Sequence, residues 1–330
     1  MKRFLFVYLT LILTVSASAQ QRGCTDTTAI NFNPEAVVND GSCIYAPVAY
    51  KPPILVRKLP KTVNETSGLI YWRDSFWTLN DSDNKNELYR LNPINGKVIQ
   101  TIIISNASNY DWEEVTQDDD YIYIGDFGNN YGNRENLRVF KIHKSDIPDS
   151  VDVSVIADTI AFRYGNQDDF TTKNLSNDFD CEAMIALGDS LYLFSKNWVS
   201  GTTRVYALPK NRGNYVISPI DEFDVNGLIT GAAFDHDNSR IVLIGYRNYF
   251  PFVWILSDFQ KNRFFSGNKK RIDFKELFGT QTEAITYTSD DIFVISCEKT
   301  PLQNARLFKM EGKIQDIRKR ARDRNKTDSN

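Results

Sequence analysis

The feature that most constrains this chain is a short unit that returns five times. Each copy is a strand-forming run, a polar turn, a second and more apolar run, and then a third. The copies begin at Ser67, Glu113, Glu182, Gly231 and Glu283, with spacings of 46, 69, 49 and 52 residues. The clearest copy holds Asp111-Trp112-Glu113-Glu114-Val115, then Tyr121-Ile122-Tyr123-Ile124-Gly125-Asp126-Phe127-Gly128-Asn129-Asn130, then Arg134. Fourth strands are expected at 98–104 and 153–162. Units of about 45–50 residues with four short strands are the blades of a β-propeller. The sequence therefore predicts an all-β chain with a propeller of five to six four-stranded blades over residues 54–312. A strand near Ile54 is expected to join the last blade and close the ring, leaving no bare sheet edge. A sixth blade has room only in the 69-residue spacing, whose polar stretch 165–178 otherwise reads as an inserted loop. A large sandwich is the alternative, but it gives no reason for repeats anchored at one residue type. Helical periodicity is confined to the C-terminal tail and to 274–278.

The two ends read differently from the body. Lys2-Arg3, an apolar run from Phe4 to Val15 and Ala17-Ser18-Ala19 have the layout of a secretory signal over residues 1–19, with cleavage before Gln20. The run is too short to span a bilayer, which takes about 20 apolar residues. Export to the periplasm or the cell exterior is expected, in an oxidising compartment. Cys24 and Cys43 bracket residues 20–45 and are expected to pair. Cys181 and Cys297 lie in different repeats and read as buried free thiols, with a bridge between them as the alternative. Segment 23–45 resembles a short Gly-Cys-Thr-Asp…Asn-Phe-Asn-Pro…Asp-Gly-Ser-Cys module of exported Bacteroidetes and algal proteins. The resemblance implies a compartment rather than an activity. Asp26, Asn31, Asn33 and Asp40 could surround a calcium ion, or serve the turns that so small a loop requires. Residues 46–53, with Pro52-Pro53, read as a linker, and 313–330 as a basic, solvated tail.

Charge narrows the function classes. The chain carries −3 in all, the signal segment +2 and the tail +4, which leaves −9 on residues 20–312. So acidic a body argues against nucleic acid as a partner. With only His143 and His236, a histidine zinc site or a Ser-His-Asp triad is not expected. No nucleophile elbow, P-loop or dinucleotide fingerprint is present.

In a propeller the innermost strand of each blade lines a central channel. The repeat therefore sends Ser67, Glu113, Glu182, Gly231 and Glu283 toward one axis, with Asp111 and Asp180 two residues earlier on the same face. Carboxylates held so close raise one another's pKa and destabilise the fold. A cation, basic side chains such as Arg134, Lys196 and Arg247, or backbone N–H donors must compensate. One reading is a calcium site on Glu113, Glu182 and Glu283, since oxygen ligands suit a hard cation. The plainer reading is that each glutamate bonds backbone amides between blades and fixes the ring. Two oxygen-rich turns, one with Asp81 and one with Asp126, Asn129 and Asn130, follow the second strands at the same end.

Ser67-Gly68-Leu69 with Asn80-Asp81-Ser82, Asp111-Trp112-Glu113, Asp126 to Asn130 with Arg134, Asp180-Cys181-Glu182-Ala183 with Lys196, Thr230-Gly231-Ala232 and Glu283-Ala284-Ile285 are similar to exported bacterial propellers of unassigned function. The resemblance covers about residues 55–310 and implies the six-bladed NHL/TolB-like superfamily, which includes calcium-dependent lactonases and phosphotriesterases. The full metal-ligand set of those enzymes is missing, so their activity is not implied. The expectation is a monomeric binding or scaffold propeller. Its acidic, calcium-class mouth would take a small molecule, a glycan or a protein. The alternative is a metal-dependent hydrolase of an ester, lactone or phosphoester with Glu113 or Asp126 as base. A purely structural extracellular protein is the third class.

Overall fold

The computed structural model describes residues 20–47, 50–288 and 292–311. The expected signal segment and basic tail lie outside them. Five sheets of four or five strands make five blades. Their innermost strands are Thr66–Trp72, Trp112–Gln117, Asp180–Leu187, Leu228–Asp235 and Thr282–Thr288. Each lies beside the next, and the fifth lies beside the first, so the ring is closed. The second strands, such as Ser75–Asn80 and Tyr121–Asp126, are buried on both faces between neighbouring blades. That is why they read as nearly continuous apolar runs. The outer strand Val98–Ile104 instead buries Gln100, Ile102 and Ile104 and turns the intervening residues outward, with the period of two of a half-covered strand.

The core is divided into five clusters, one at each blade interface. Trp77, Trp112 and Phe140 lie between blades one and two, and Tyr123, Phe162 and Tyr206 between two and three. Phe194, Phe252 and Phe264 follow, then Ile255, Phe274 and Phe293, then Leu69, Phe76 and Leu307. Burying one such side chain contributes about 1.5–3 kcal/mol.

The blade number is five, and there is no sixth blade in the long spacing. Its extra length goes to an excursion of the chain and the loop ahead of Asp180. The expected strand 153–162 is two strands. Val153–Val155 leaves blade two and pairs in parallel with Val98–Ile104 of blade one. Asp158–Tyr164 then completes blade two. The break falls at Ala157, whose N–H donates to the Asn106 side chain at 2.9 Å. In the same manner Gly213–Ile217 of blade three adds to the edge of blade two. A five-bladed ring departs from the six-bladed superfamily that the sequence resembles. The strand at Ile54–Lys58 pairs with Arg306–Glu311 and closes blade five, as expected. At 274–278 one turn of 3-10 helix, Lys275–Leu277, stands where helical periodicity was read.

Cys24 and Cys43 form a disulfide, and Cys181 and Cys297 are buried free thiols. The disulfide-closed segment rests on blade four. Asn39 donates to Asp258 at 2.7 Å and to Asn268 at 2.9 Å, and Lys270 lies 3.2 Å from Asp26. Its oxygens serve local turns. Asp26 accepts from Thr28 N at 2.9 Å, Asn31 from Ile44 N at 2.7 Å, Asn33 from Glu35 N at 3.0 Å and Asp40 from Ser42 N at 3.0 Å. These four residues serve the turns that so small a loop requires. No described helix is long and apolar enough to cross a membrane.

Candidate functional site

All five innermost strands carry a β-bulge near the start, at the same place in the blade. A bulge inserts one residue and re-aims the side chains around it. The extra residue is Glu113 in blade two, Glu182 in blade three, Thr230 in blade four and Glu283 in blade five. In blade one Ser67 and Gly68 span the irregularity. The residue equivalent to the glutamates in blade four is thus Thr230, one position before the expected Gly231. The two hydroxyls bind across blade boundaries. Ser67 Oγ donates to Glu113 O, and Thr230 Oγ1 donates to Thr282 O at 2.7 Å. The three glutamates are left to face the mouth.

Blade two shows how the mouth is assembled. Trp112 is fully buried in the core between blades one and two, with its indole N–H on Ser108 O at 3.2 Å. Alternation along the strand then turns Asp111 and Glu113 away from that core. Asn109 donates to Asn80 O at 2.9 Å and Asp81 O at 2.8 Å, which fastens the Asp81 turn beside them. Gly128 completes the wall. A Cβ there would stand 2.2 Å from Glu113 Oε1 and 2.5 Å from Asp111 Oδ2, so only glycine permits the approach. Asp81, Asp111 and Glu113 each offer a carboxylate oxygen, and these oxygens lie within 4.8 Å of one another.

The surroundings are acidic, with Glu113 buried and Asp81 and Asp111 half-buried. Burial pushes the Glu113 carboxyl well above the usual range, and Asp81, Glu182, Asp111 and Asp180 push it further. Burial, then Asp81 and Asp180, raise Asp111 to about 7 against the pull of Arg134. Burial is also the first cause at Glu283 and Glu298, each raised to about 8. Glu283 is 6% exposed, and its Oε1 is buried without a hydrogen-bond partner. The cation set within this group is Lys196. Its Nζ lies 2.5 Å from Glu182 Oε1, and the carboxylates outweigh burial and keep it protonated.

The other expected site residues have structural partners. Asp126 is fully buried, bound by Arg134 at 2.9 Å, by Arg138 at 2.8 Å and by Asp111 N at 3.2 Å. Arg134 also donates to Gly128 O at 2.8 Å and stands 3.9 Å from Asp111. Asp180 accepts from Asn129 N at 2.6 Å and from the Trp198 indole at 2.8 Å. The Asn129 side chain accepts from Arg134 N at 2.9 Å. Asn130 takes part through its carbonyl, which accepts from Leu175 N at 2.9 Å. Arg247 binds Asn226 rather than a mouth carboxylate.

Of the expected metal trio Glu113, Glu182 and Glu283, Glu182 is paired with Lys196, and the carboxylates whose oxygens lie within 4.8 Å of one another are Glu113, Asp81 and Asp111. Sequence reasoning missed Glu298 and Tyr246. Both follow the second-strand residues paired at the bulge, in the places of Asp81 and Lys196 in other blades. Aligning those strand ends would have found them.

The fold and the site thus define a five-bladed propeller with a carboxylate-lined channel mouth. No known protein family matches the chain, and no curated protein does. Among solved structures it is similar to the PQQ-bound form of an aldose sugar dehydrogenase from Streptomyces coelicolor. The TM-score is 0.48 at 10% identity, over 81% of this chain and 99% of that one. A glucose dehydrogenase gives 0.47 at 8% identity, over 76% and 98%. A hypothetical protein from Leishmania major gives 0.44 at 10%, over 79% and 91%. Likenesses of this size say nothing about what this chain binds.

Proposed function

We propose that this protein is a cation-dependent binding propeller whose mouth holds a hard divalent ion of the calcium class on Asp81, Asp111 and Glu113. The carrying observation is that three carboxylate oxygens from two blades approach within 4.8 Å of one another. Carboxyls raised by burial and by each other favour a proton or a cation over open charge. Oxygen-only donors suit calcium, which tolerates irregular geometry and completes its shell with ligand oxygens or water. Tyr110, Tyr131, Tyr249 and Phe278 on loops, and Phe250 at the start of the strand Phe250–Ser257, are exposed. Exposed rings and a cation suit a glycan or a peptide that offers oxygens to the ion and a face to the aromatics. The hydrolase reading is weaker, because the arginines and the Asp111 N–H occupy Asp126 and remove one of its two candidate bases.

Thermal unfolding in calcium and in chelator tests this reading. Calcium at about 100 times its Kd stabilises by about 2.7 kcal/mol, a rise of about 4 °C in Tm for a chain of this size. Asp111→Asn and Glu113→Gln are expected to abolish the rise. An unmoved wild-type Tm rejects the cation. Calcium-dependent turnover of esters or phosphoesters, lost in Glu113→Gln, would restore the hydrolase.

A further inference from the structure

Glu114, the neighbour of Glu113, is the chemistry-bearing residue that the mouth does not use. It is fully buried. Its Oε1 accepts from its own neighbour, Val115 N, at 3.0 Å, and its Oε2 accepts from Ala232 N across the channel at 3.2 Å. Burial raises the Glu114 carboxyl well above its usual range, and the N–H groups of Ala232, Val115, Leu69 and Met184 lower it in part. These four donors come from four different blades. They stand at one register position, the second residue after the bulge.

The position of Glu114 itself is as telling. Its equivalents in the other blades are Gly68, Ala183, Gly231 and Ala284. At two of them nothing larger than glycine fits. A Cβ on Gly68 would lie 2.2 Å from Val115 N, and one on Gly231 would lie 2.6 Å from Glu283 O. One long acidic side chain and four minimal ones therefore share the axis. The inner edge of each inner strand has no sheet neighbour, and its N–H groups need an acceptor.

We propose that the inner strands build an axial anion-binding site from backbone N–H groups, and that Glu114 is its resident ligand. The site takes a small carboxylate in a ring of N–H dipoles, as a nest of backbone amides takes an anion. Glu114 joins the blades around one carboxyl group. It also separates the acidic mouth from the opposite end of the channel, a cavity of about 280 Å³ that includes Val115, Thr116, Gln117 and Thr286. Because Glu113 is its neighbour on the strand and Asp111 immediately precedes that strand, Glu114 is further a positioning residue for the proposed cation ligands. That last clause rests on the function proposed above, and the anion site does not.

The test is chemical complementation. Glu114→Ala removes, atom for atom, about one acetate. In chelator, the variant is expected to melt well below wild type and to regain about 3–6 °C in 0.1–0.2 M sodium acetate relative to sodium chloride of equal ionic strength. Wild type should show no difference between the two salts. If the variant is too unstable to isolate, refolding yield in acetate against chloride, followed by tryptophan fluorescence, gives the same comparison. Glu114→Gln is the second variant. It should fold, but its amide NH2 meets N–H donors, so it should bind calcium more weakly than wild type. Equal melting of Glu114→Ala in both salts, or equal refolding yield, overturns the anion site. A calcium response that is unchanged in Glu114→Gln overturns the positioning role alone. Because the acetate arm contains no calcium, it stands whether or not the mouth binds a cation.

Discussion

The disulfide-closed segment and the channel mouth use the same vocabulary of aspartate, asparagine and glycine, to opposite ends. In the segment, Asp26, Asn31, Asn33 and Asp40 each accept a backbone N–H from within the same loop. Hydrogen bonding of this kind favours the charged carboxylate, and the Asp40 carboxyl is held below its usual value by Ser42. In the mouth, Asp81 accepts Ser82 N, Asp180 accepts Asn129 N and Glu182 accepts Lys196, but carboxylates of neighbouring blades also stand close to one another. Burial and mutual repulsion then raise Asp111, Glu113, Glu283 and Glu298. Acidic residues alone do not make a cation site. What matters is whether carboxylates from different parts of the chain are brought within reach of one another.

The contrast is most severely tested by a change that leaves every carboxylate in place. Gly68→Ala puts a Cβ against backbone of blade two and should force the first two blades apart. Overpacking against backbone costs about 3 kcal/mol at the upper end of the usual range. The denaturant midpoint should fall accordingly, and the calcium response should weaken with it. A variant as stable as wild type would mean that the axis is looser than described.

A smaller effect is expected from pH. Asp111, at about 7, and Glu283 and Glu298, at about 8, sit above their unfolded values near 4. Between those values the folded chain holds protons that the unfolded chain has lost. Stability in chelator must therefore fall as pH rises from about 4 to about 8. Allowing for relaxation and water entry, we expect about 2 kcal/mol across that range, where one pKa unit is worth about 1.4 kcal/mol. Calcium should flatten the slope and release protons on binding, which calorimetry in buffers of different ionisation enthalpy measures. A flat profile in chelator would show that the mouth carboxyls titrate normally.

The smallest effect should come from Asp40→Asn. An exposed turn residue of this kind changes stability by about 0.5 kcal/mol. The calcium-induced rise in Tm should be that of the wild type. Loss of the rise in this variant would move the cation out of the mouth and into the disulfide-closed segment.

Much of the architecture was legible because the doubly buried second strands are strongly apolar. Runs such as Ile122-Tyr123-Ile124 and Ile241-Val242-Leu243-Ile244 can be aligned without a structure. The blade count was not legible. A strand lent to the neighbouring blade, Val153–Val155, has the same composition as one that stays. The mouth was legible at Asp81, Asp111 and Glu113, which recur at strand ends. It failed by one residue at Thr230, because a bulge has no signature in a pattern of period two. The same bulge hid Glu114, which simple alternation turns away from the channel. The available clue was compositional: Gly68, Ala183, Gly231 and Ala284 stand in its place in the other blades.

The closing strand also sets an order of events. Arg57 pairs with Leu307, about 250 residues further along the chain. During synthesis the edge at Ile54–Lys58 is made early and finds its partner last. Contacts of such long range fold slowly, because the loop entropy falls due before the contact forms. Until the final blade arrives, blade one exposes Leu69, Phe76 and their neighbours. A nascent chain of this design depends on being kept apart from its own copies until its ends meet.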